Sequence, residues 1–196
     1  MRSFLSQTLG GAMAIVLVTL AILLASCTDE PAPLVPVVAK SDLPFPTTPD
    51  ILMGNFREAY GNQDLGAYAA LLHPDFQFEL ARGRVPQVWG RDQELAIAAR
   101  MFSREDYVKP DRVIAGILRI EFVRCEGIGA WIESDDDSEG ETFRRSYLVH
   151  VRFHRTDESV LSVEGVAVFH VRCDELDTGD GETRPGYRIV RWIDRT

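Results

Sequence analysis

The chain has 196 residues, with 21 Lys or Arg against 30 Asp or Glu, so its formal net charge is −9. Binding to nucleic acid needs clustered cations against phosphate, and this acidic balance argues against a general DNA- or RNA-binding protein. The three cysteines and four histidines lack the spacing of a structural zinc site, so we predict neither a metal nor a cofactor. The length predicts one domain with appended segments.

The first 26 residues have the layout of a secretory signal peptide. Arg2 supplies the positive start, and the apolar run GAMAIVLVTLAILLAS follows it. The end of the run, LASC at residues 24–27, resembles the bacterial lipobox. The resemblance implies lipidation of the Cys27 thiol, cleavage before Cys27 and acylation of the new amino terminus. The alternative is an uncleaved membrane helix, because the uncharged stretch of residues 3–28 is long enough to span a bilayer.

An acylated Cys27 would anchor the chain to a bilayer of the bacterial cell envelope, because several acyl chains together make a stable attachment. Thr28 stands where an aspartate would favour retention in the inner membrane, so we expect the outer membrane, with the domain facing the periplasm. Residues 28–49 hold six of the ten prolines. We therefore predict an extended, proline-rich tether over residues 27–47.

A first helix is predicted to begin after Thr48, which is a favourable N-cap followed by a proline. Leu52, Phe56 and Tyr60 recur at i, i+4 and i+8, which predicts a buried stripe. A second, shorter helix is predicted within QDLGAYAALLHPDF. A third is predicted over GRDQELAIAARMF, with its buried side formed by the residues Leu95, Ala98 and Phe102.

Long strands are predicted after residue 112, where apolar and polar residues alternate. The segments are VIAGILRIEFVRC, RRSYLVHVRFHR, SVLSVEGVAVFHVRC and GYRIVRWID, and FQFEL predicts an earlier short strand. In the first segment, Leu118 is predicted to point inward, and residues 164–165 in the third are predicted to form a bulge. Helices followed by strands predict an α+β domain over residues 48–196, with three helices packed on one face of a curved antiparallel sheet.

Two segments, NFREAYGNQDLGAYAALLHPDFQFEL and VWGRDQELAIAARMF, together with the final W-x-D strand, resemble the NTF2-like (SnoaL-like) superfamily. The resemblance covers about residues 48–196. It implies a cone in which a bent sheet wraps three helices around a pocket. It also leaves the function open, because the superfamily includes ketosteroid isomerases, polyketide cyclases, dehydratases and non-enzymatic binding or dimerising modules.

The ketosteroid isomerase mechanism does not transfer to this chain. In an ungapped alignment through Asp64, the tyrosine that donates to the oxyanion falls on Phe56, and the aspartate base falls on Leu80. A phenylalanine cannot donate a hydrogen bond and a leucine cannot accept a proton. The resemblance therefore argues against that chemistry here.

Other polar residues are weaker catalytic candidates. Tyr60 paired with His73 or Asp75 is the combination we consider, because acid–base catalysis needs ionisable groups within reach of a substrate. The alternative is that Tyr60 is a core aromatic and that His73 and Asp75 form a helix-ending turn. The predicted lining of a ligand pocket is Phe56, Tyr60, Trp89 and Phe102.

A row of arginines and histidines is predicted on the sheet face opposite the core. This face is a candidate surface for a dimer or a protein partner, and the alternative is a solvated face balanced by Glu121 and Glu164. Its proposed interacting residues are Arg119, His150, Arg152 and His170.

Cys125 and Cys173 are the two cysteines of the folded part. In a simple meander one strand separates them, which places them about 9–10 Å apart. That exceeds the roughly 7 Å limit between Cα atoms for a disulfide. A different strand order would permit the bridge, so both states stay open.

The sequence supports three readings of function. The first is an envelope lipoprotein whose domain binds a small apolar ligand or a protein partner without catalysis. The second is an isomerase, dehydratase or cyclase that uses an unfamiliar polar set, and the third is a structural dimeric adaptor. The expected partners are the bilayer through acylated Cys27, a small apolar ligand and a second copy of the chain.

Overall fold

The structure is a computed structural model that describes residues 43–81, 85–134 and 141–195. The predicted signal peptide, Cys27 and residues 27–42 of the predicted tether lie outside the described residues. Within the described ranges, no helix combines the length and apolar character needed to cross a membrane.

Three helices occur in the described ranges: α1 (Pro49–Gly61), α2 (Leu65–Leu71) and α3 (Arg91–Phe102). The predicted cap of α1 is confirmed, because the Thr48 side chain accepts a hydrogen bond from the backbone N–H of Ile51 at 3.2 Å. Asp64 caps α2 in the same way and accepts from the N–H of Ala67 at 2.9 Å. These side chains satisfy backbone donors that a helix start leaves without partners.

The main sheet has six strands in the order β2-β1-β8-β7-β6-β5, and β3 and β4 form a separate pair. The strands are β1 (Leu72–Leu80), β2 (Gln87–Gly90), β3 (Tyr107–Val108), β4 (Val113–Ile114), β5 (Ile117–Glu133), β6 (Thr142–Arg155), β7 (Val160–Asp177) and β8 (Thr183–Asp194). The α+β class is confirmed. The expectation of a wholly antiparallel sheet is wrong, because β1 runs parallel to β8. Parallel neighbours need a long connection, and β2 to β7 supply it here.

The core lies between the helices and one face of this sheet. The stripe predicted on α1 is confirmed, since Leu52, Phe56 and Tyr60 are all buried. From the sheet, Tyr147 and Phe169 pack against it. Because successive strand residues point to opposite faces, the even-numbered residues of β6 form the other, outer face.

Residues 43–47 contact the domain ahead of α1. The carbonyl of Pro44 accepts a hydrogen bond from the Asn55 side chain at 2.7 Å, and the carbonyl of Pro46 accepts from the N–H of Tyr187 at 2.8 Å. Phe45 lies against Gly186, where an added Cβ would come within 3.0 Å of its ring. The contacts of the domain therefore begin before Thr48.

Candidate functional site

The interior between helices and sheet is packed with aromatic rings around Phe56. Its ring centroid lies 5.6 Å from Tyr60, 5.2 Å from Phe169 and 5.4 Å from Trp192. Tyr60 in turn contacts Phe102 at 5.3 Å. Edge-to-face and offset contacts at these separations are favourable, so the rings stabilise one another in addition to burying apolar area.

Glu94 is a carboxyl group inside this aromatic interior, and it is only 4% exposed. Its Oε1 accepts a hydrogen bond from the Tyr68 hydroxyl at 2.8 Å. Its Oε2 accepts from the Trp89 indole N–H, also at 2.8 Å. A buried carboxyl is costly unless it is hydrogen-bonded, and here both oxygens have a donor.

Burial is the main cause of the pKa shifts of the ionisable groups in this interior. It raises the pKa of Glu94, although the hydrogen bonds from Trp89 and Tyr68 oppose the shift. Burial, together with the nearby Glu94, raises the pKa of Tyr68 and of Tyr60 above the usual range of a tyrosine. The tyrosines therefore act as neutral hydrogen-bond donors, and Glu94 is the group in the cluster that can exchange a proton.

The four residues predicted to line a pocket belong to this interior. The Tyr60 ring contacts both Phe56 and Phe102, and Trp89 stacks on Phe78 with centroids 4.3 Å apart. Trp89 is linked to the other rings through Glu94 and Tyr68. The sequence thus identified side chains that the fold brings together.

The candidate catalytic residues occupy two separate places. The Tyr60 hydroxyl contacts the Met101 sulfur at 3.8 Å inside the ring cluster. His73 and Asp75 lie at the start of β1, where the Asp75 N–H donates to His73 Nδ1 at 3.0 Å. The structure therefore places His73 and Asp75 together and gives Tyr60 a different set of partners.

His73 is buried against two charged residues of β7. Its Nε2 lies beside the Arg172 guanidinium and 3.5 Å from Asp174 Oδ2. Arg172 also donates from Nε to Asp174 Oδ1 at 2.9 Å. Burial and the Arg172 charge lower the pKa of His73, so its neutral form is favoured in the fold.

The four residues predicted to form an interaction face do share the outer face of the sheet. Register pairs Arg119 with His154, Arg152 with Glu121, and His150 with Glu164. Arg152 is exposed to solvent, whereas His170 is only 5% exposed and is therefore buried by neighbouring residues. This geometry fits a polar outer face.

Glu94 is the residue that the sequence reasoning missed. It lies one turn before Ala98 and two turns before Phe102, so it occupies the buried stripe of α3. The prediction placed Leu95 on that side with Ala98 and Phe102, and Leu95 is partly buried against the core. The i, i+4 spacing between Glu94 and Ala98 was the sequence signal that could have placed Glu94 on the buried side of α3.

Cys125 and Cys173 are free thiols. They lie on β5 and β7 with β6 between them, as the simple meander predicts. Burial raises the pKa of Cys125 to about 11, which leaves this thiol protonated and unreactive at neutral pH. Among the described residues, no three His, Cys, Asp or Glu side chains are grouped to hold a metal ion.

No protein-family model and no curated protein sequence matches the chain. Among solved structures, a candidate aromatic ring hydroxylase from Novosphingobium aromaticivorans is similar at 18% identity and a TM-score of 0.49, over 74% of this chain and 82% of its own. An NTF2-like superfamily protein from Salmonella enterica has 13% identity and a TM-score of 0.45, over 72% and 83%. A ketosteroid isomerase-like protein from Erwinia carotovora has 14% identity and a TM-score of 0.41, over 74% and 89%. Likeness at this level assigns no activity, substrate or partner to the chain.

Proposed function

We propose that this protein is a lipid-anchored envelope protein whose folded domain binds a partner without catalysing a reaction. The observation that carries the proposal is the state of Glu94. Both of its oxygens are hydrogen-bonded within closely packed rings, so the interior acid is used to complete the core. A general acid or base must instead reach the reacting atom of a substrate.

The anchor is tested by labelling cells that express the full chain with a palmitate analogue. We expect labelling and processing of the wild type, and loss of both in Cys27→Ser. Cys125→Ser is the matched control, because Cys125 is a half-buried thiol of the folded domain. Equal labelling of Cys27→Ser and the wild type would refute the anchor at this position.

The kind of ligand is tested on protein extracted from the envelope. A small apolar ligand would have to displace the rings around Phe56, so we favour a protein partner at the surface over a ligand in the interior. Native mass spectrometry separates the two readings. A bound small molecule that is absent from a Phe56→Trp variant would contradict the preference for a protein partner.

A second candidate is an isomerase, dehydratase or cyclase that uses Glu94. The observation in its favour is the raised pKa of a carboxyl beside Tyr68, since functional acids are often tuned by burial. Turnover of a keto-steroid or polyketide substrate that disappears in Glu94→Gln would establish this function over the first. Gln keeps the shape and can bond to both neighbours, so loss of activity would report the lost proton.

A third candidate is a dimeric adaptor that uses the outer sheet face. Ile128 and Ile132 of β5 are 47% and 53% exposed on the same face as Leu148, which gives this polar face an apolar part. Sedimentation of the wild type and Leu148→Asp tests it. A monomer across the accessible concentration range would exclude the adaptor.

A further inference from the structure

Three arginines lie close to one another near the start of β1: Arg172 and Arg188 beside His73, and Arg91 beside Arg188. Arg172 of β7 and Arg188 of β8 are directly opposite each other in the antiparallel register. Arg91, the first residue of α3, reaches the carbonyl of Ala69 at the end of α2 with its Nη2 at 2.9 Å. The side chains of Arg91, Arg172 and Arg188, with His73, are called the guanidinium cluster below.

The charges in this cluster do not balance. Asp174 pairs with Arg172, and its second oxygen faces His73. Asp75 also lies near His73, but its side chain is 82% exposed and its charge is screened by water. Like charges directly opposite on two strands destabilise a sheet, so Arg172 and Arg188 are an unfavourable pair as they stand.

Hydrogen bonding within the cluster is also incomplete. The Nε atoms of Arg91 and Arg188 are buried and have no hydrogen-bond partner among the described residues, and the same holds for Asp174 Oδ2, which lies 3.5 Å from His73 Nε2. Burial and the nearby Arg91 lower the pKa of Arg188, which agrees with an unfavourable positive charge at this position. A buried donor without a partner normally indicates a missing acceptor, such as an ion.

We propose that the guanidinium cluster binds a phosphate-type dianion, either free or as a phosphate monoester. The three guanidinium groups carry three positive charges and Asp174 carries one negative charge. The remaining two positive charges match the two negative charges of a phosphate dianion. Guanidinium N–H groups bind phosphate oxygens in pairs, and one oxyanion placed between Arg172 and Arg188 would remove their repulsion. The inference is independent of the function proposed for the interior, because it uses neither Glu94 nor the ring cluster.

The first test titrates inorganic phosphate into the purified full-length protein, at constant ionic strength and with chloride as the competing anion. We expect saturable binding at one site in the wild type and at least tenfold weaker binding in Arg188→Gln. Arg152→Gln is the matched control, because Arg152 is exposed outside the cluster, and it should bind as the wild type does. Equal phosphate affinity of Arg188→Gln and the wild type would overturn the site.

A second measurement separates a binding role from a purely structural one. Without phosphate, Arg188→Gln should unfold at a higher temperature than the wild type, because the substitution removes the repulsion with Arg172. A lower unfolding temperature would contradict the proposal. Arg188→Lys keeps the charge and loses the paired donors, so it should bind phosphate with intermediate affinity and also tests the site if the Gln variant does not fold.

The source of the phosphate group is distinguished by two further ligands. Glycerol 3-phosphate represents a free monoester, and monomeric dihexanoyl phosphatidic acid represents a lipid headgroup. Binding of either ligand that is lost in Arg188→Gln supports the site and identifies the source. Failure of inorganic phosphate and of both esters to bind would overturn the proposal.

Discussion

Removing the Tyr68 hydroxyl should weaken the fold by an amount that depends on the charge of Glu94. The hydroxyl donates to Glu94 Oε1 at 2.8 Å inside the core. Loss of a hydrogen bond to a charged group costs about 1.5–3 kcal/mol, against about 1 kcal/mol for a neutral pair. Tyr68→Phe should therefore lower the free energy of unfolding by about 2 kcal/mol at neutral pH, or about 4–8 °C in melting temperature for a domain of this size.

The pH dependence provides the sharper measurement. Burial raises the pKa of Glu94 in the fold above the ordinary glutamate value of 4.5, so folded protein holds this proton more tightly than unfolded protein. The stability linked to Glu94 is present below pH 4.5 and is lost as the pH rises through the folded pKa. In Tyr68→Phe this loss should increase, because a hydrogen bond that favours the charged form has been removed. In Glu94→Gln it should disappear.

Urea unfolding followed by circular dichroism, measured between pH 4 and pH 8, gives these free energies for the purified full-length protein. Tyr60→Phe is the matched control, because the Tyr60 hydroxyl donates to the weak acceptor Sδ of Met101 at 3.8 Å. Its cost should stay below about 1 kcal/mol. A Tyr68→Phe variant that loses no more unfolding free energy than Tyr60→Phe, or that loses the same amount at pH 4 and pH 8, would refute a charge-dependent bond between Tyr68 and Glu94.

Three other substitutions follow from local geometry. Gly116→Ala should destabilise the fold by about 1–3 kcal/mol, because the new Cβ would lie 2.6 Å from backbone atoms of Arg104 and Glu105. Gly54→Ala should stabilise it by about 0.5–1 kcal/mol, since Gly54 lies inside α1 and an added Cβ meets no atom within 4 Å; thermal melts check both signs. The folded pKa of His73 lies below 6.5, so stability should fall as the pH drops below 6.5, and a His73→Gln variant should lose that part of the slope in a pH series of urea titrations.

Features with a local cause were predictable from the sequence. The capping side chain of Thr48 acts within three residues of itself, and this cap was predicted correctly. The buried stripe of α1 follows from helical periodicity, which depends only on spacing along one element. The ring cluster was also accessible, because large aromatics on such stripes are normally buried.

Features that depend on residues distant in the sequence were not predictable from the sequence. Leu118 was predicted to face inward but is 49% exposed, because the pairing of β5 with β6 shifts between Ile117 and Arg119. The bulge predicted at residues 164–165 is also wrong, since β7 pairs with β6 there without interruption. Register is decided by the neighbouring strand, which the alternation within one strand does not report.

The guanidinium cluster could not be predicted from the sequence either, because it depends on how the strands pair. His73, Arg91, Arg172 and Arg188 belong to four different elements, and the pairing of β7 with β8 brings two of them face to face. In the sequence, His73 is a residue next to a proline, and the arginines are polar positions on predicted strands or at a helix start. Their common location exists only in the assembled sheet.

The position of β8 between β1 and β7 affects how the chain reaches its native state. Phe78 of β1 finds its sheet neighbour in Trp192, more than a hundred residues away in the sequence. Until β8 is in place, the edge of β1 that pairs with β8 is unpaired, and the β1–β2 pair is not joined to β5, β6 and β7. Pairing across such a separation closes a long loop, and folding rates fall as the contacts become less local. We therefore expect slow, late completion of the sheet, with β1 exposed to mispairing during that interval, so that a chain shortened before β8 would lose the centre of its sheet.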